Sequence, residues 1–243
     1  MFPIRDHNPS TRTPFVTYAL LAANIAIWLW TVMAAQTDAA LGQLYYDYAL
    51  IPARVTGFEG WGGFVTSMFL HGGIMHLGGN MLFLFIFGDN LEDRMGHVPF
   101  ALFYLACGIA AGAAQVASEP FSPIPTIGAS GAIAGVMGGY LLLFPKARVD
   151  VFFFFIVFFK IIPIPAWITL AVWFVMQLWG GFSPNDGVAY WAHNGGFVAG
   201  LLLVIPLWLR LGGPAFWRAT DGHPDHPPAQ YGPSRIPKVP RKR

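Results

Sequence analysis

Six apolar stretches, each close to the ~20 residues a helix needs to cross a hydrocarbon core, leave this chain few ways to fold. They run over residues 15–35, 64–87, 98–117, 127–144, 161–179 and 188–209. The first follows a polar leader of fourteen residues and exceeds a signal-peptide core, so it reads as a retained span despite the faintly cleavage-like Met33-Ala34-Ala35. Composition points the same way. Apolar residues make up 55% of the chain and charged ones 11%, against a usual ~25% for soluble domains. Disorder, a disulfide scaffold and an ordinary cytosolic enzyme are excluded as readings of the whole chain. The single cysteine, Cys107, allows no intramolecular disulfide and is expected to pack within the third span. A further apolar run at 151–159 would rise only ~14 Å as a helix, too short to cross. Lys160, Pro163 and Pro165 close it, which places it at the cytoplasmic interface. The expected fold is an all-α bundle of six transmembrane helices over residues 15–210, between a cytoplasmic leader at 1–14 and a Pro-rich tail at 211–243. That tail has almost no aliphatic run, so it is expected to be disordered.

Basic residues set the direction, because cytoplasmic loops collect Lys and Arg. With the N-terminus inside, thirteen of the fourteen basic residues fall on inner segments and only Arg54 falls outside. Both termini are then cytoplasmic. The net charge of +2 conceals a cluster, since Arg235, Lys238, Arg241, Lys242 and Arg243 all lie in the last nine positions. Beside a membrane such a tail meets anionic lipid headgroups more simply than nucleic acid.

Polar side chains inside the bilayer cost free energy unless paired or wetted, so each is a functional candidate. The second span carries His71, His76 and Asn80, the fourth opens with Gly128-Ala129-Ser130-Gly131, and the sixth carries His193 and Asn194. All three spans start at the outer face in the derived orientation. Their polar residues therefore share one half of the membrane. His76 and Asn80, four apart, lie on one helical face, where interhelical hydrogen bonding is the simplest alternative role. Gly131, Gly135 and Gly139 repeat every four residues, as do Gly196 and Gly200. Such stripes let two helices pack closely enough for a serine on one to meet a histidine on the other. With Pro123 and Pro125 delaying its start, the fourth helix is shorter than the bilayer core, and its N-terminal N–H groups favour developing negative charge.

Serine becomes a competent nucleophile when a base takes its proton, and Ser130 with His193 supplies that pair. The Ser130 backbone N–H, the Asn80 amide and a His76 ring N–H are available to hold an oxyanion. No carboxylate sits mid-span to orient His193, since Asp89 and Glu92 lie at the inner end of the second span; a dyad is expected rather than a triad. A zinc protease would show His-Glu-x-x-His, which is absent, and an aspartyl site needs two intramembrane aspartates. A proton-coupled transporter using His71, His76 and His193 as a relay remains open. No metal or other cofactor is expected.

Gly128-Ala129-Ser130-Gly131, His76-x-x-x-Asn80, and Ala192-His193 followed by Gly196 and Gly200 resemble the three signatures of rhomboid intramembrane serine proteases. Glu92-Asp93-Arg94 and Ile4-Arg5-Asp6 are similar to bacterial members. The resemblance implies a six-helix core with Ser130 as nucleophile, His193 as general base and then acid, and His76, Asn80, Gly128 and the Ser130 N–H at the oxyanion site. It also implies an acyl-enzyme resolved by water. Substrates would be transmembrane-helix proteins cut near their outer ends, entering laterally near the second and fifth spans, in a cell membrane with the site opening to the extracytoplasmic side. Some members stack an aromatic residue, four after the serine, on the catalytic histidine; Ala134 stands there in this chain. Some carry a Trp-Arg pair between the first two spans, where Arg54 and Trp61 are separated. The other class retained is a non-catalytic rhomboid-like binder that holds transmembrane clients. Natural substrate, cleavage preference and oligomeric state are not encoded legibly.

Overall fold

A computed structural model of the protein describes residues 2–155, 158–182 and 187–224. The chain is mostly helical. Strand β1 (Phe2–Asp6) leads into helix α1 (Phe15–Ala34), followed by α2 (Asp38–Tyr48), α3 (Pro52–Thr56) and α4 (Gly63–Thr66). A 3-10 turn at Ser67–Phe69 precedes α5 (Ile74–Met95), α6 (His97–Ser118) and α7 (Ser130–Leu143). Strands β2 (Arg148–Phe155) and β3 (Phe158–Pro165) then lead to α8 (Ala166–Gly180), α9 (Tyr190–Leu203), α10 (Ile205–Arg210) and α11 (Pro214–Thr220).

Helix α7 is apolar all round and buried from Gly131 to Tyr140, as a central helix must be. The glycine stripes explain how α9 lies against it. A Cβ on Gly196 would overlap the Gly131 carbonyl, and one on Gly200 would overlap that of Gly135. Backbone therefore touches backbone along the α7–α9 seam. Helix α6 closes on the same seam: a Cβ on Gly131 would stand 2.6 Å from Ala111, and buried Cys107 faces Gly135. Any side chain at these glycines would force the helices apart.

Among the described residues three helical stretches are long and apolar enough to cross a membrane: Phe15–Ala34, His97–Ser118 and Tyr190–Arg210. A fourth is added if Gly63–Phe69 and Ile74–Met95, bent by 97°, count as one broken span. The expected fourth and fifth spans are helices of 14 and 15 residues, about 21 and 22 Å long. Each is shorter than the ~30 Å hydrocarbon core. Pro206 interrupts the sixth expected span, because it lacks the N–H that would continue the ladder from α9 into α10.

The all-α expectation is corrected by a three-stranded antiparallel sheet in the order β1-β2-β3. Within the 151–159 run, residues 151–155 and 158–159 are strand, with Val151 opposite Ile162 and Phe152 opposite Ile161, while residues 156 and 157 lie outside the described residues; residues 161–165 are strand where helix was expected. Phenylalanine, valine and isoleucine suit a pleated surface, and Pro163 and Pro165 delay the helix until Ala166. Strand β1, from the supposed leader, pairs with β2 about 150 residues away in sequence. The tail is also corrected at its start. Pro214–Thr220 is helical, Phe216 is buried, and the Trp217 indole donates to the Leu142 carbonyl at 2.9 Å. That bond satisfies one of the carbonyls left open at the end of α7. Residues 225–243, with the basic cluster, lie outside the described residues.

Buried polar groups tie the sheet end together. Asp150 accepts from Arg5 Nη2 at 2.7 Å and lies 2.8 Å from His7 Nε2, while Tyr140 donates to Asp6 at 2.8 Å. Burial alone would raise the Asp150 pKa, but Arg5 and His7 outweigh it and hold the carboxyl below its usual range. Asp6 goes the other way: burial dominates and pushes its pKa up to about 7. Nearby, Glu92, 1% exposed, accepts from the Val16 N–H at 2.8 Å and from the Thr17 N–H and hydroxyl at 2.7 Å. It caps α1 from the end of α5, and Asp93 caps the preceding turn through the Thr11 and Arg12 N–H groups, both at 3.1 Å.

Candidate active site

The chain reaches Ser130 through an extended segment held at both sides. Leu50 and Thr126 exchange backbone hydrogen bonds of 3.1 and 2.8 Å, and the Gly128 N–H donates to the Ser67 carbonyl at 2.9 Å. Gly128 has φ of +123°, and a Cβ on it would stand 2.7 Å from His76 Nε2. Glycine is required here both for the backbone angle and for the close pass under the histidine ring. Helix α7 then begins at Ser130, so the Ser130 N–H has no partner within the helix.

The serine and His193 meet across the glycine seam. Ser130 Oγ lies 2.8 Å from His193 Nε2, within hydrogen-bond reach for proton transfer. Both are half-buried and line a cavity of about 630 Å³. Asn80 and His76 line the same cavity, and Asn80 is 7% exposed with its amide nitrogen lacking a partner. A buried donor left unpaired in the wall of the cavity that holds the serine is an energetic debit unless something arrives to accept from it. His76 Nδ1 takes a long hydrogen bond, 3.4 Å, from the Gly72 N–H, which leaves Nε2 as the donor toward Gly128 and the cavity.

The apolar wall of the cavity comes from Met75 and Phe83 of α5, Ile133 and Met137 of α7, and Trp173 of α8. His71 and Asn194, also singled out among the polar span residues, do not line it. The His71 ring instead packs edge-on to His76 with centroids 5.0 Å apart, and the Asn194 side chain is buried in the helix packing. Among the described residues no group of three His, Cys, Asp or Glu side chains is placed to hold a metal ion.

Three residues of the site escaped the sequence reading. Gln177 Oε1 lies 2.7 Å from His193 Nδ1, on the side of the ring away from Ser130. Trp173, one turn earlier on α8, packs on the same imidazole with centroids 5.9 Å apart. Its indole supplies an aromatic contact that Ala134 lacks. Gln115 of α6 accepts from the Ala192 N–H at 3.3 Å, which caps the first turn of α9 just before His193. Both glutamines are polar residues inside apolar helices, the same signal that marked Asn80 and His193.

The Rhomboid domain model matches residues 58–210, more than half of the chain. The chain is 30% identical over 201 residues to Rhomboid protein 1, mitochondrial, of Saccharomyces cerevisiae, covering 77% of this chain and 51% of that protein. It is 33% identical over 157 residues to RHOMBOID-like protein 4 of Arabidopsis thaliana, covering 64% and 36% respectively. Over 81 residues it is 44% identical to the Rhomboid protease GluP of Bacillus subtilis, covering 33% of this chain and 15% of that protein. The chain thus spans about a third to a half of the length of the first two relatives. With its apolar helices and this match, the chain belongs to the rhomboid family and is a multi-pass membrane protein.

Proposed function

We propose that the protein is an intramembrane serine endopeptidase that cuts transmembrane-helix proteins with Ser130 as nucleophile and His193 as base. The observation that carries this reading is the 2.8 Å contact between Ser130 Oγ and His193 Nε2 at the wall of a cavity that also holds an unpaired Asn80 amide. His193 takes the hydroxyl proton as Oγ attacks the scissile carbonyl. Negative charge then develops on the carbonyl oxygen, held by the Ser130 N–H, the Asn80 amide and the His76 ring. The protonated His193 passes its proton to the leaving amine, and an acyl-enzyme remains on Ser130. Water, activated by the same imidazole, releases the second product. His76 and Asn80 belong to the oxyanion site, and Gly128 keeps the backbone close beneath His76.

In this reading α7 and α8 complete a six-helix core as short spans, and both termini face the cytoplasm. The site opens to the extracytoplasmic side of a cell membrane, and substrates enter sideways from the bilayer near α5 and α8. The protein family, the direction of the basic residues and the pairing of serine with histidine support this assignment over a relay of histidines. Purified protein reconstituted in liposomes with a single-span substrate is the test. Cleavage by wild type and none by Ser130→Ala is expected. Equal cleavage by Ser130→Ala would reject the assignment, and substrate binding without cleavage by wild type would assign a client-holding role instead.

A further inference from the structure

We propose that Gln177 is a positioning residue for the Ser130–His193 pair, its amide oxygen accepting the Nδ1 proton of His193 and thereby fixing the tautomer whose Nε2 lone pair faces Ser130. The proposal rests on the protease reading above. A neutral imidazole carries one proton shared between two nitrogens, and only the Nδ1–H form leaves Nε2 free to accept from the serine. In the other form Nε2 would donate to Oγ, and the serine could not be deprotonated by it. Gln177 Oε1 at 2.7 Å from Nδ1 selects between them, because an oxygen lone pair facing a bare nitrogen at that distance is repulsive. Ser130 Oγ sits at 2.8 Å on the opposite nitrogen, so the ring is held at both ends.

The arrangement is built from one face of one helix. Trp173 and Gln177 are four apart on α8, so both reach His193 together, the indole against the ring and the amide on its edge. Gln177 and Thr169 are the only side chains with a polar oxygen on the otherwise apolar α8. A neutral amide orients the imidazole without the desolvation cost that a buried carboxylate would carry. Among the described residues, the titratable groups that share the cavity wall with the ring are His76 of α5 and Glu119 beyond the end of α6. Helix α8 contributes no charged group, and α7 contributes the Ser130 hydroxyl.

The test compares wild type with Gln177→Leu and Gln177→Glu in liposomes, reading kcat and KM on a single-span substrate, the pH profile, and 15N spectra of labelled histidine. Gln177→Leu removes the acceptor at similar volume. It is expected to lower kcat about 10- to 100-fold with KM within about threefold, a smaller loss than the ~10⁴-fold that follows when a catalytic histidine loses the carboxylate that fixes its tautomer. Gln177→Glu restores an acceptor, so it is expected to recover most of kcat while moving the acid limb of the profile upward by about one pH unit. The spectra should show Nδ1–H in wild type and loss of that signal in Gln177→Leu. Wild-type kcat in Gln177→Leu, or equal losses in both variants with an unmoved acid limb, would overturn the proposal. So would an Nε2–H tautomer in wild type, a readout that stands even if the protein cuts nothing; inactivity of wild type itself would overturn only the protease reading.

Discussion

The two ends of helix α7 treat buried polarity in opposite ways. At its foot the groups that hold the sheet end are paired: Tyr140 donates to Asp6, the Trp217 indole to the Leu142 carbonyl, and Asp150 lies between Arg5 and His7. At its head, roughly 15 Å away along the helix, the Ser130 N–H has no partner within the helix and the Asn80 amide nitrogen is unpaired beside a cavity. Saturated groups hold a fold together, whereas unsaturated ones store binding capacity for a ligand that brings the missing acceptor. The foot is therefore built for stability and the head for chemistry.

Substitutions that affect one end without the other are the means to break this contrast. The largest effect is expected from Ser130→Ala or His193→Ala, each lowering the cleavage rate at least ~10³-fold in a proteoliposome assay. Their thermal midpoints should stay within a few degrees of wild type. Asn80→Leu should follow, with kcat down ~10²-fold as for loss of one oxyanion donor. Its thermal midpoint should be unchanged or raised, since an unpaired buried amide is removed; a clear drop would place Asn80 with the structural groups. Glu92→Ala should do the reverse. Loss of the carboxylate that caps α1 is expected to lower stability by about 2–3 kcal/mol, read by thermal melting, while kcat at low temperature stays near wild type.

The smallest effect is a pH slope. With its pKa at about 7 in the fold, against the ordinary carboxylate value when unfolded, Asp6 retains a proton on folding that the unfolded chain has lost. Its contribution to stability is full below pH ~4 and declines as pH rises toward 7. Asp150 has the opposite sign, contributing above the usual carboxylate range and losing that contribution as pH falls. Melting curves of Asp6→Asn across pH 4–7 should show a flatter loss of stability than wild type. An unchanged slope would remove Asp6 from the saturated network.

What could be read from the residues follows the same divide. Ser130, His193, His76 and Asn80 stood out because each is polar within an apolar helix, and the glycine stripes of α7 and α9 gave a reason for two helices to meet. Gln177 and Gln115 carry an identical signal near the ends of α8 and α6, but only the packing of those helices against α9 brings one to the His193 ring and the other to the Ala192 N–H. The sheet was less legible. Its hairpin is a run of Phe, Val and Ile that periodicity does not distinguish from a buried helix, and its third strand comes from the far end of the chain. Helix α11 is short and begins at a proline, so local preference is weak and docking of Phe216 and Trp217 decides it.

The central claim is that His193 makes the Ser130 hydroxyl reactive. Labelling the membrane-embedded protein with a fluorophosphonate and locating the adduct by mass spectrometry tests it most directly. Modification at Ser130 in wild type, lost in His193→Ala while the protein remains folded, is the predicted result. Adducts elsewhere, or equal labelling of Ser130 without the imidazole, would contradict it.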